Sequence, residues 1–305
     1  MEYSLALQLG GLNESTNYKM DIPNFLEPWY GIGAAASAFG IEYKWEPGNA
    51  PAIAAPFQSF DDALSQDIVP IEKTEIGRHT LDMIDHFLTK TQGKIPISLT
   101  DTQSALNAAS FLIETNNFYM GLFDNPDSLK KLLALITDLT IDFTKRQMEL
   151  IGDALVSPGH GFPSSRYFAG LGMSSDVLIM VSDDQYQEFE IPCSEKMAAP
   201  FGGPVFHSCG NWSSKISSVK SIRDLLMVDG AFSQQTDPDP NPAEPFKDGF
   251  VNTGITVNAR IVGDAEDVLK KVRQLWQPGM KLIVTTYCQT AEEQAKVYDA
   301  LKEFA

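Results

Sequence analysis

The feature that most restricts this chain is an alternation of short apolar runs with amphipathic helical stretches, sustained from about residue 90 to the C-terminus. Seven runs read as strands: residues 95–99, 153–157, 176–181, 203–209, 225–228, 255–258 and 282–288, most of them followed by a helical pattern. Residues 41–45 add an eighth, with Ile41, Tyr43 and Trp45 alternating with charged neighbours as in a half-buried strand. Eight alternating units in 305 residues predict an α/β fold, a (β/α)8 TIM barrel forming a single domain over residues 1–305. A doubly wound open sheet is the alternative, but neither a G-x-G-x-x-G turn nor a P-loop accompanies it.

The helices announce themselves by face and by cap. Ile76, Met83, Ile84, Phe87 and Leu88 form one stripe, so residues 75–91 read as an amphipathic helix. Pro126 after Asn125 opens another, carried to about Ile151 by Leu129, Leu132, Leu133, Ile136 and Phe143. Ser182 and Thr290 are cap residues for later helices. The first 50 residues read as irregular apart from the strand at 41–45. Residues 50–70, with Pro51, Pro56 and Pro70, read as loop around one short helical turn.

Charge and cysteine content limit the partners. A formal net charge of −17 disfavours nucleic acid and anionic membrane surfaces, which require a concentrated positive field. Three cysteines are too few and too odd for a disulfide scaffold and suit a reducing compartment. Met1-Glu2-Tyr3 lacks a basic leader, and no apolar run approaches the roughly 18 residues of a membrane span, so a cytoplasmic location is expected.

The chemistry concentrates at the ends of two runs. His207 and Cys209 are two residues apart at the close of one, and positions i and i+2 of a strand share a face. Cys288 closes the last run. Three such donors at strand ends suit an open zinc site, with the fourth position left for water or substrate; the bland alternative is buried small hydrophobes and a capped histidine. A barrel places active groups at the C-terminal ends of its strands, where Thr100, Asp101 and His160 also fall. Asp101 reads equally as a helix cap, and His160, between Gly159 and Gly161, as a turn residue. Cys193 beside Pro192 is expected to be structural.

The run Phe206-His207-Ser208-Cys209-Gly210-Asn211 together with Cys288 resembles the His-x-Cys…Cys zinc motif of the methylcobalamin-dependent, coenzyme M type methyltransferases of the uroporphyrinogen decarboxylase superfamily. Glu27-Pro28-Trp29-Tyr30-Gly31, Ala36 to Gly40, Asp101-Thr102-Gln103 and the stretch from Ser182 to Pro192 are similar to members of that family. The resemblance implies a (β/α)8 barrel and zinc held by His207, Cys209 and Cys288. It also implies methyl transfer between a corrinoid, as free cobalamin or a corrinoid protein, and a small thiol. Asp176 and His160 become the candidate catalytic groups, and Gln234, Gln235 and Trp29 the candidate cofactor contacts, with Glu27 beside Trp29 at the mouth. A homodimer is a further expectation. The decarboxylases of the superfamily carry an arginine-rich N-terminal motif, whereas the first arginine here is Arg78. Decarboxylation and ligand binding without chemistry remain the alternatives.

Overall fold

The computed structural model describes residues 1–21, 24–46, 52–54 and 56–304; Pro51, placed above in a loop, lies outside them. Its framework is a five-stranded parallel sheet in chain order: β5 (Leu171–Ser174), β6 (Pro204–His207), β7 (Met227–Ala231), β8 (Thr256–Arg260) and β9 (Lys281–Thr285). β3 (Ile97–Ser98) and β4 (Leu155–Val156) form a separate parallel pair. Isolated parallel bridges join Leu26 to Ile97 and Gln103 to Ser174. Helices follow most strands, as parallel connections require.

Both faces of the sheet are covered, which is why its strands read as nearly continuous apolar runs. Phe206, Val228, Val257 and Ala259 point to the helices and join the main core. Their alternating neighbours Val205 and Met227 form a second cluster with Phe162, against which Phe168 and Ile283 pack. Trp212, fully buried, meets Phe206 at 5.0 Å and Phe246 at 4.5 Å between ring centroids. It thereby anchors the loop that leaves β6.

The parallel order agrees with the sequence reading, but a closed ring does not form among the described residues. β9 pairs with β8 alone, and a cleft of about 630 Å³ separates it from Met20, Asp21 and Asn24. Residues 41–45 do not supply a strand of the main sheet. There β1 (Tyr43–Lys44) pairs antiparallel with β2 (Ala52–Ile53) as a small hairpin, and Leu26 takes the place beside β3. Residues 176–181 are also corrected: they form a 3-10 turn, Asp176–Met180, and the strand is β5 just before it. Gly172 obscured that strand, because glycine lacks the side chain that marks a pleated surface. The N-terminus is not irregular but helical over Glu2–Ser15, with Leu5 as its one buried residue. A helix with so narrow a buried face leaves no periodic stripe to read.

The helices at 75–91 and 126–151 appear as Glu75–Thr91 and Pro126–Ile151. Ser182 and Gln185 make a reciprocal capping box, leading into a π bulge at Tyr186–Glu190. Glu190 is fully buried. It accepts hydrogen bonds from Leu106 N at 2.7 Å, Ser104 Oγ at 3.0 Å and the Ser194 hydroxyl, so it ties the start of helix Ala105–Leu112 to the bulge. Burial pushes its carboxyl from 4.5 up to about 7 despite those bonds. The folded protein therefore binds this proton more tightly than the unfolded chain, and the associated stability is present at low pH and lost as pH rises through about 7. Urea unfolding from pH 5 to 8 is expected to show wild-type stability falling relative to Glu190→Gln by roughly 3 kcal/mol. Parallel pH profiles for the two proteins would contradict that.

Candidate functional site

The strand register sets a row of polar side chains across the C-terminal ends of β6 to β9. His207 lies beside Asp229, Asp229 beside Asn258, and Arg260 beside Thr285. Asp229, fully buried, binds His207 Nδ1 through Oδ2 at 2.8 Å. The same oxygen accepts from Arg260 Nε at 2.9 Å, and Oδ1 accepts from Asn258 Nδ2 at 2.6 Å. Thr285 Oγ1 donates to Asn258 Oδ1 at 2.8 Å. This places the proton of His207 on Nδ1 and leaves Nε2 as a lone pair aimed out of the row.

What faces Nε2 comes from two loops. Asp176, in the turn after β5, has Oδ1 at 3.9 Å, and Cys209, in the loop after β6, has Sγ at 3.5 Å. One ligand atom from each of Asp176, His207 and Cys209 lies within 4.8 Å of the other two. The loop is held by carboxylates: Cys209 N donates to Asp176 Oδ1 at 2.7 Å and Gly210 N to Asp237 Oδ2 at 2.8 Å. Asn241 clasps it further, through Gly210 O and Trp212 N.

The electrostatics of this trio are compatible with a cation. Burial, with the nearby charge of Asp176, pushes the Cys209 thiol up to about 12. Burial opposes a charge on His207, but the bond to and charge of Asp229, with that of Asp176, outweigh it and raise the imidazole pKa. Burial likewise opposes a charge on Asp229, and the bond to and charge of His207 with the charge of Arg260 outweigh it, so its carboxyl falls below the usual range. An imidazole nitrogen, a thiol and a carboxylate converging in this way fit a zinc-type ion, whose charge would stabilise the thiolate.

A second polar group adjoins the first. His160 Nδ1 lies 2.9 Å from Asp101 Oδ1, close but not aligned as a hydrogen bond. Trp29 Nε1 donates to Asp101 Oδ2 at 3.3 Å. Ser104, not Asp101, caps the following helix, which frees Asp101 for this contact. Burial and the charge of Asp101 push the Glu27 carboxyl up to about 7, with His160 partly opposing. Gly159, His160 and Gly161 all have positive φ, and this left-handed turn presents the His160 ring 5.5 Å from that of His207.

The family model for uroporphyrinogen decarboxylase (URO-D) matches residues 29–291. The chain belongs to the URO-D family. Among solved structures it is similar to a methyltransferase from Methanosarcina mazei, at a TM-score of 0.66 and 15% identity over 92% of this chain and 80% of that one; at that identity the likeness is one of fold. No curated protein matches the chain.

In this URO-D chain the residues singled out from sequence part company. His207, Cys209 and Asp176 come together, with His160 and Trp29 in the adjoining group. Cys288 is not among the converging ligand atoms. It lies beyond the end of β9, packed against the main core, with burial and then Glu293 raising its thiol pKa. Gln234 and Gln235 are exposed on the turn after β7. Cys193 packs against the core in helix Ile191–Ala198. Sequence reading passed over Asp229 and Arg260, and read Asn258 only as part of a strand. Their signal was a lone Asp229 in the otherwise apolar β7, and Thr256, Asn258 and Arg260 at every second place of β8. Asp229→Asn is expected to weaken binding of Zn(II) or Co(II) about 10–100-fold, read by calorimetry, because the imidazole loses its orienting carboxylate. In the wild type, affinity should fall with acid sooner than for a free imidazole, since His207 takes up its competing proton at a raised pKa. Unchanged affinity in Asp229→Asn would remove the orienting role.

Proposed function

We propose that this protein is a zinc-dependent methyltransferase that moves a methyl group between a corrinoid, as free cobalamin or a corrinoid protein, and a small thiol. The observation that carries the reading is the convergence of Asp176, His207 and Cys209 within 4.8 Å at the strand ends where a TIM-like barrel places its chemistry. The methyltransferase among its structural neighbours supports the same class of reaction.

His207 Nε2, Cys209 Sγ and an Asp176 oxygen would hold the ion. A zinc ion there supplies a Lewis acid that keeps a substrate sulfur as thiolate at neutral pH. The chain's own residues do the rest. Asp229 fixes the His207 tautomer, and Asp176 and Asp237 lock the Cys209 loop through its backbone amides. His160, held against Asp101, stands over the same opening and is placed to orient the substrate or take its proton. Exposed Trp29, Ile179, Met180 and Tyr287 follow strand ends on this side and offer an apolar rim to a flat macrocycle.

Metal analysis separates this ligand set from the one the motif resemblance implies. Asp176→Ala and Cys209→Ala are expected to lose most of the about one zinc per chain, and Cys288→Ala to retain it. Loss in Cys288→Ala with retention in Asp176→Ala would return Cys288 to the metal. Zinc-loaded protein given a thiol and methylcobalamin should remove the methyl group, visible in the corrinoid spectrum. Carbon dioxide release from uroporphyrinogen by the zinc-free protein would overturn the reading.

A further inference from the structure

The open edge of β9 has a chemistry of its own. Every residue from Leu282 to Tyr287 lines the cleft of about 630 Å³, and the four that belong to the strand span roughly 10 Å. Successive side chains of a strand point to opposite faces, so a cleft that meets all of them reaches both faces of the sheet edge. Leu282 and Val284 belong to the side of the main core, and Ile283 to the smaller inner cluster with Met227 and Phe168. The volume falls within the roughly 300–1,000 Å³ of small-molecule sites, and a long wall of this kind suits an elongated apolar body. Asp176, His207 and Cys209 do not line the cleft, so it is not part of the converging trio.

The polar groups of the cleft select what that body carries. Asp21 and Lys302 are the charged lining residues among those described, and they are already satisfied. Lys302 Nζ donates to Asp21 Oδ2 at 2.9 Å, and the Tyr298 hydroxyl donates to Asp21 Oδ1 at 2.7 Å. Two uncharged atoms are left over. Gln294 Oε1 and Thr286 Oγ1, on residues that line the cleft, are buried without a hydrogen-bond partner, and such groups ordinarily find one. Lys19 O accepts from Gln294 Nε2 at 3.4 Å, which orients the amide and leaves its acceptor free. The Cys288 thiol lies close enough to feel the Thr286 hydroxyl but does not satisfy it.

We infer that this cleft binds a neutral, elongated amphiphile, an alkyl body ending in a carboxamide. The carboxamide N–H donates to Gln294 Oε1, its carbonyl accepts from the Thr286 hydroxyl, and the body lies along β9. A carboxylate head would set its charge against Gln294 Oε1 and Asp21. An ammonium head would lose its hydration with no free carboxylate to replace it. The site stands apart from methyl transfer and does not rest on that reading.

The test is calorimetric titration of octanamide, octanoate and octylammonium into the full chain. Octanamide should bind saturably, about tenfold or more tighter than either ion. Nuclear Overhauser contacts from its methylenes should fall on the methyl groups of Leu282, Val284 and Val297. Gln294→Leu should bring octanamide and octanoate close to equal, and Val284→Trp, which fills the cleft, should abolish binding. Metal-free protein should give the same ranking, because the converging trio does not line the cleft. Equal binding of the three compounds, contacts on methyl groups elsewhere, a requirement for zinc, or no saturable binding would each overturn the inference. Should either variant fail to fold, the wild-type ranking and the methyl contacts decide the matter.

Discussion

The hydrogen bond from His207 to the buried carboxylate of Asp229 is the interaction on which the site depends. It is a consequence of register: in a parallel sheet each residue has a fixed neighbour on the next strand, and β6 and β7 put these two side by side. A buried carboxylate is tolerated only when its lone pairs are satisfied, and here Asn258 and Arg260 on β8 complete the set. Three strands must therefore be paired in one register before the imidazole has a defined free nitrogen. A slip of one residue would turn Asp229 into the helix-facing core and leave His207 without a partner.

The loop after β6 depends on a different kind of fixing. Nothing in the sheet requires Cys209 to approach His207, since the strand has ended. The approach is made by Trp212, which fills the space between Phe206 and Phe246, and by side-chain carboxylates that capture successive backbone amides. Packing sets where the loop returns, and hydrogen bonding sets how it is folded on the way. The site is thus preorganised by Trp212 and Asp237, which lie outside the converging trio, and by Asp176, which belongs to it.

Much of this was legible in the residues. The parallel order follows from apolar runs alternating with amphipathic helices, and the His207–Cys209 spacing marks the site because few other segments offer two such donors together. What was not legible had physical reasons. Helix Glu2–Ser15 buries only Leu5 and so has no stripe. β5 contains Gly172, while Asp176 to Val181 next to it carries the branched apolar residues expected of a strand. Cys288 has the ligand chemistry, but only the folded chain shows that Asp176 stands 3.9 Å from Nε2 of His207 while Cys288, packed against the main core, is not among the converging ligand atoms. The partners of Asp229 needed the same information, since Asn258 and Arg260 are alternate polar residues of β8 and acquire meaning only from the carboxylate on the next strand.

The one-sided pairing of β9 bears on more than closure of the sheet. Thr285, the last link of the polar row, belongs to β9 and also lines the cleft beside Asn24. A continuous line of hydrogen bonds therefore runs from the flank of the molecule, through Thr285 and Asn258, to the carboxylate that aims His207.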